Sequence, residues 1–268
     1  MDSLGFLYKT RIGRILLKPL VSRPFSQIAG RFLDSRFSKV FIKSFVRDNN
    51  IIVDDYQTDN IECFNDFFCR KIKEGLRPVS MNGDDLIAPC DGLLSVYKIS
   101  GDTVLNVKQS AFTITDLLKD DFLAASFNGG YALVYRLCVD NYHRYIYFDS
   151  GKQLDNKRID GIYHTVRPVA LSAFPVFVQN TREYAVIDTG NFGRAVQMEV
   201  GAMLVGRIVN HNTGSCEVTR GAEKGYFEYG GSTVIVLIKD GTAGLHEKFM
   251  TGEEVPVLMG EVIGRKRS

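Results

Sequence analysis

Two rhythms of apolar residues divide the chain. In the first 47 residues Leu4, Leu7, Ile12, Ile15, Leu16 and Leu20 recur at helical spacing. Phe37, Val40, Phe41 and Phe45 resume the pattern after a break at Pro24. Lys and Arg flank both apolar faces, which predicts amphipathic helices. A further helix is predicted over 58–76, with Thr58 or Asn60 as cap and Ile61, Phe64, Phe67, Phe68 and Ile72 as its apolar face. Arg77-Pro78 ends it. From there the rhythm changes to short apolar runs between glycine turns. Strands are predicted at Leu86–Ala88, Leu93–Ile99, Val104–Val107, Tyr131–Val139, Gly161–Tyr163, Tyr184–Asp188, Ala195–Val200, Met203–Val209, Tyr226–Phe227 and Ser232–Ile238, with a small helix at Phe112–Leu118. This is the grammar of an α+β chain: a mostly antiparallel β sandwich or partly closed barrel, preceded by amphipathic helices. We divide it into an N-terminal helical, membrane-associating region at 1–75 and a β-rich core at 76–268.

Charge sharpens that division. The 268 residues carry 33 basic and 31 acidic side chains, yet residues 1–47 hold ten of the basic ones and only Asp2 and Asp34 of the acidic ones. A cationic arm therefore precedes a mildly acidic body. Such an arm can lie in an anionic membrane interface, pack on the body as a helical hairpin, or serve as a cleaved targeting peptide. No run of eighteen uncharged apolar residues exists, which argues against a spanning helix. Five cysteines without a Cys-x-x-Cys pair fit a reducing compartment and leave no thiolate metal site. Zinc-finger, RNP-like and helix-turn-helix patterns are absent, so nucleic acid is not an expected partner. Gly190-Asn-Phe-Gly193 lacks the spacing of a dinucleotide loop.

Candidate chemistry sits in three turns. Glu228-Tyr229-Gly230-Gly231-Ser232-Thr233 runs straight into Val234-Ile235-Val236-Leu237-Ile238, so one serine hydroxyl stands at a bend anchored by a buried strand. Asn141-Tyr142-His143-Arg144-Tyr145 follows another strand and offers a proton carrier near neutrality. Asp91 lies in the turn Pro89-Cys90-Asp91-Gly92. The plainer alternatives are an ordinary Gly-Gly-Ser turn, a hydrogen-bonded histidine and a turn-capping aspartate. Spacing alone does not show whether the three side chains meet as a nucleophile, base and orienter.

Taken in order, Ala88-Pro-Cys-Asp-Gly92, Asn141-Tyr-His-Arg-Tyr145, Tyr163-His-Thr-Val-Arg-Pro168, the glycines of Val186–Gly206 and Lys224-Gly-Tyr-Phe-Glu-Tyr-Gly-Gly-Ser-Thr-Val234 resemble the pyruvoyl-dependent phosphatidylserine decarboxylases over about residues 60–240. The resemblance implies a proenzyme that cuts itself between Gly231 and Ser232. Ser232 would become a covalent pyruvoyl cofactor, and the two fragments would stay associated. Phosphatidylserine would form a Schiff base with the pyruvoyl ketone, lose CO2 and leave as phosphatidylethanolamine. The family's catalytic positions map onto Asp91, His143 and Ser232, with Arg144 as a candidate phosphate ligand and no metal. A homodimer on the cytoplasmic side of a bacterial cell membrane is implied, bound peripherally to anionic lipid.

One position departs from the pattern. Many relatives carry a second histidine three residues after the first, and here that place is Ile146. Isoleucine moves no proton, so His143 serves twice, another group such as His164 acts as base, or a strained backbone drives the cut. Two other readings remain at this point: a pyruvoyl-dependent decarboxylase of a soluble amino acid, and a non-enzymatic carrier-like β module.

Overall fold

The computed structural model describes residues 3–100, 105–107, 110–203, 207–228 and 232–267, omitting the side chains of 3, 105–107, 110 and 111. The fold is α+β, and among the described residues the sheets are antiparallel and form no closed barrel. A nine-stranded sheet organises it. Along the sheet run Cys216–Val218, Gly151–Gln153, Arg182–Thr189, Gly193–Val200, Ser232–Ile238, Tyr131–Leu137, Gly92–Lys98 and Val255–Val257, and Lys157–Ile159 pairs beside Arg182–Thr189. Three-stranded sheets of Ile208–Asn210, Glu223–Phe227 and Arg144–Ile146, and of Ala243–Leu245, Val262–Lys266 and Asp85–Ile87, complete the body.

Ser232–Ile238 occupies the middle of the large sheet, and all seven residues are buried. Its side chains alternate between two cores. Val234, Val236 and Ile238 enter one, and Ile235 and Leu237 the other. Each contributes about 1.5–3 kcal/mol by burial, so the strand is anchored along its length.

The arm folds as α1 (Ser3–Lys9), α2 (Arg11–Leu20), α3 (Arg23–Leu33) and, after a 3-10 turn at Arg36–Phe41, α4 (Ile42–Asp48). Thr10 caps α2 by accepting from Gly13 N at 2.9 Å. Gly13 is required there, because a Cβ would collide with the Phe6 carbonyl of α1. Contacts along its length tie the arm to the body, among them Asp34 with Asn65 and Arg207, Ser38 with Phe64 N, and Lys39 with Ile61 O. Tyr8, Leu17 and Val21 are buried, and Tyr163 N donates to Val21 O at 2.9 Å. Phe45 packs edge-on against Phe64 and Phe67. Much of the remaining apolar surface faces outward: Ile12, Ile15 and Leu16 on α2, Ile28 and Phe32 on α3, then Phe37, Val40 and Phe41, with Phe37 81 % exposed.

Three local expectations are corrected. The 58–76 helix is only Phe64–Phe68, capped by Cys63 in a reciprocal pair with Asp66 rather than by Thr58 or Asn60. It stops because Lys71–Ile72 pairs with Tyr56–Gln57 and Arg70 lies over the Tyr56 and Phe67 rings. Gly161–Tyr163 is no strand; Ile162 makes a single bridge to Asn180, since Asn180 satisfies the neighbouring backbone with its side chain. The strand expected at Met203–Val209 is Ile208–Asn210, whose register is set by Glu223–Phe227, and residues 204–206 lie outside the described part.

Candidate active site

Ser232 opens the central strand opposite Leu137. Its side chain is fully buried, and Oγ has no hydrogen-bond partner among the described residues. A buried hydroxyl without a partner costs on the order of 1–3 kcal/mol, an expense that structure alone does not explain. Gly231, the other half of the expected junction, lies outside the described residues.

Asp91 sits at the same end of the sheet. The strand after it pairs Leu93 with Arg136, and Arg136 pairs with Thr233. Gly92 permits this approach, because a Cβ there would stand 2.9 Å from the Arg136 carbonyl oxygen. The Asp91 carboxylate is already engaged. Arg77 forks onto it at 2.8 and 2.6 Å, and Met259 N donates to Oδ1 at 2.8 Å. This charge-assisted set holds the turn.

His143 is fully buried against the Phe68 ring, with centroids 4.1 Å apart. Burial lowers its pKa to about 3, aided by the nearby Arg70 charge and opposed by the Asn141 carbonyl, so the imidazole is neutral. Nδ1 lies 2.9 Å from Asn141 O and must carry the proton to make that bond. Nε2 is then the basic nitrogen, and it has no partner among the described residues. The His143 carbonyl accepts from Phe227 N at 2.9 Å, which fixes the residue to the strand leading toward the junction. Asp91, His143 and Ser232 are not joined by hydrogen bonds. Each is held separately.

Arg144 is occupied. Nε donates to Cys69 O at 2.8 Å, Nη1 to Glu223 at 2.7 Å, and the guanidinium covers the Tyr226 ring. Arg194 forks onto Asp188, and Lys108 lies outside the described residues. His164 is also committed: Tyr8 Oη meets its Nδ1 at 3.1 Å, Phe174 stacks on the ring, and burial lowers its pKa to about 4. A cleft of about 410 Å³ between α3 and the body instead collects Arg23, Arg31, Arg158 and Arg207 beside Glu228, the last described residue before the junction. Arg207 is bound to Asp34 and Glu228. The outward helical pattern gave no sign that α3 would turn Arg31 into a cleft.

The sequence also left a buried polar cluster unnoticed. Glu199 and Lys224 form an ion pair at 2.7 Å with no exposure on either side chain. Asn210 joins both, and Glu183 accepts from Asn210 at 2.8 Å. Burial pushes the Glu199 carboxyl above the ordinary range, against the pull of Lys224 and Asn210. The available signal was a charged residue in a strand, Gly193–Val200, whose last six positions are all buried.

The family model for phosphatidylserine decarboxylase matches residues 64–265. A phosphatidylserine decarboxylase proenzyme 2 from Clostridium acetobutylicum is 41 % identical over 266 residues, covering 97 % of this chain and 91 % of the relative. A proenzyme from Clostridium botulinum is 38 % identical over 273 residues, covering 98 % and 92 %. One from Ruminiclostridium cellulolyticum is 37 % identical over 270 residues, covering 97 % and 90 %. The chain belongs to the phosphatidylserine decarboxylase family and is a decarboxylase, as its sequence resemblance implied.

Proposed function

We propose that the chain is a precursor that severs itself between Gly231 and Ser232, turns Ser232 into a pyruvoyl group, and decarboxylates phosphatidylserine at a membrane surface. The orphaned, fully buried Ser232 hydroxyl at the head of the central strand carries this reading. Such a hydroxyl is held ready to react rather than to stabilise. The position also suits the group it would become. The pyruvoyl carbonyl supplies the electron sink for decarboxylation, and a new terminus at Ser232 would remain fastened by Val234–Ile238.

The rest of the chain contributes holding and proton placement. Asp91 and Arg77 fix the turn at the end of the same sheet. His143 Nε2, the unprotonated nitrogen, is the group we assign to proton movement during turnover. After the cut, residues 232–268 would stay bound, because they supply the central strand, the edge strand Val255–Val257 and two strands of a small sheet. The arginine cleft beside Glu228 suits an anionic headgroup, and Arg31 replaces Arg144 as our preferred phosphate ligand.

No helix among the described residues is long and apolar enough to cross a membrane. Peripheral attachment through the outward apolar residues of α2 and α3, with their Lys and Arg neighbours, is therefore the mode we propose. It would bring the lipid headgroup to the cleft from the side of the bilayer. The test is intact-mass analysis of the purified protein, followed by CO2 release from phosphatidylserine vesicles. Two fragments meeting at 231/232, the smaller lacking a free amine, and lipid-dependent CO2 are expected. An active enzyme made only of uncut chain would overturn the proposal.

A further inference from the structure

The position left open by Ile146 has a structural answer. Ile146 itself is fixed by its backbone, its N–H donating to Pro89 O and its carbonyl accepting from Gln197 Nε2. Its aliphatic side chain belongs to the core. Across that core the large sheet presents Gln197 and Glu199 on the strand next to Ser232. Glu199 pairs directly with Val234 and Gln197 with Val236. Directly opposed residues share a face, and Ser232, Val234 and Val236 share theirs. Ser232 and Glu199 are therefore diagonal neighbours on one face, roughly 7–8 Å apart by ladder geometry and somewhat closer between their Cβ atoms. A glutamate spans much of that separation.

Both side chains have unfilled bonding capacity. Glu199 Oε2 is taken by Lys224 at 2.7 Å and Asn210 at 3.3 Å. Glu199 Oε1 is buried and has no partner among the described residues, as is true of Ser232 Oγ. A carboxylate oxygen without a donor and a hydroxyl without an acceptor, both shut away from water on one sheet face, are complementary. Lys224 keeps a charge-balancing partner on the other oxygen, which favours the ionised form that can accept a proton.

We propose that Glu199 is the proton acceptor for Ser232 in self-cleavage, filling the role of the missing histidine. Glu199 takes the hydroxyl proton as Ser232 Oγ bonds to the Gly231 carbonyl carbon. The bond from that carbon to the Ser232 nitrogen then breaks, and the nitrogen receives the proton back from Glu199. The product is an ester with a free amine, with no net gain or loss of protons. His143 is left for turnover. This inference rests on the self-cleavage reading above.

The experiment follows cleavage of freshly made full-length chain by intact mass, with hydroxylamine added to part of each sample to cut any ester at 231/232. Glu199→Gln should slow appearance of the 232–268 fragment by roughly 10²–10⁴-fold and give no hydroxylamine-cut product. Because the single variant strands a buried Lys224, the Glu199→Gln/Lys224→Met pair is made alongside it, and a cooperative thermal transition establishes folding. If Glu199 only neutralises Lys224, the pair restores parental cleavage; that result overturns the proposal. So does a hydroxylamine-sensitive ester in either variant, since the ester would have formed without Glu199. Glu199→Asp, which keeps the carboxylate, should recover part of the rate. A cleaving parent beside a cleaving Glu199→Gln sinks this inference alone, whereas a parent that never cleaves sinks the self-cleavage reading with it.

Discussion

The N-terminal arm and the strand Ser232–Ile238 depart from ordinary burial in opposite directions. On α2 the buried residues are Gly13, against α1, and Leu17, while Ile12, Ile15 and Leu16 face outward. At the head of the central strand the reverse holds: Ser232, Thr233, Glu199 and Lys224 are polar and fully buried. Exposed aliphatic residues forgo about 1.5–3 kcal/mol each, and buried polar groups without partners add a similar cost. A fold selected only for stability would exchange the two sets. Isolated exposed apolar residues need no explanation, but eight large ones exposed between Ile12 and Phe41 do. Both departures fit the function proposed above, in which lipid covers the arm's outward residues and Ser232 is altered chemically.

The sharpest way to break the contrast is at Ser232. Ser232→Ala removes the orphaned hydroxyl while keeping the anchored strand, so the chain should fold, remain one piece and release no CO2 from phosphatidylserine. Mass analysis with an activity assay checks this. Fragments at 231/232 in that variant would mean that the buried hydroxyl is not the nucleophile.

His143→Ala should be the next largest effect. We expect turnover of processed enzyme to fall roughly 10²–10⁴-fold while cleavage continues. Measuring fragment formation and CO2 release on the same preparation separates the two steps. Normal turnover would remove His143 from the mechanism, and lost cleavage would place it at the junction instead.

The two regions also differed in how far they could be read beforehand. Ser232–Ile238 was legible to the residue, because an unbroken β-branched and leucine run after two glycines has few other uses. In the arm, α1, α2 and α4 were legible from spacing, but α3 was not: Pro24, read as a break, stands in the first turn of that helix. Orientation was legible for none of them. Periodicity marks an apolar face without saying whether protein or lipid covers it. Short strands such as Arg144–Ile146, Cys216–Val218 and Val255–Val257 were not foreseen, since their pairing comes from distant partners rather than from their own residues. Glu199 escaped notice because a charge in a strand is normally read as a solvent position. The arginine cleft escaped because Arg23, Arg31, Arg158 and Arg207 are scattered along the chain and meet only in the fold.

The lipid side of the contrast can be tested by reversing it. Ile12→Ser, Ile15→Ser and Leu16→Ser together should weaken binding to anionic vesicles about 100-fold, at about 1 kcal/mol for each half-inserted side chain. Self-cleavage should continue, because these side chains face away from the body. Arg11 and Lys18 are the matching charge substitutions, and their effect should shrink with added salt. Arg14 is unsuitable, since its Nε donates to Tyr8 O and it lies over the Phe174 ring. Unchanged vesicle binding by the triple variant would leave the outward face without a membrane role.

The smallest effect concerns a buried contact between the regions, where Tyr8 of the arm meets His164 of the body. Tyr8 Oη accepts from Thr165 N at 3.1 Å and shares a hydrogen bond with His164 Nδ1 at 3.1 Å. Burial lowers the His164 pKa to about 4, from an ordinary value near 6.5. The unfolded chain therefore binds the proton first. Stability from this site is intact above about pH 6.5, falls as pH drops toward 4, and levels off below it. His143, lowered to about 3, contributes a slope of the same sign over much of that window. His164→Gln should remove only part of the parental decline in thermal stability between pH 6.5 and 4. Tyr8→Phe should cost about 1–3 kcal/mol at neutral pH, by leaving the Thr165 amide and the His164 ring nitrogen without their partner. It should also open the arm to protease at lower temperature than the sheet. An arm and sheet that loosen together in that variant would show that the two regions, for all their opposite burial, unfold as one unit.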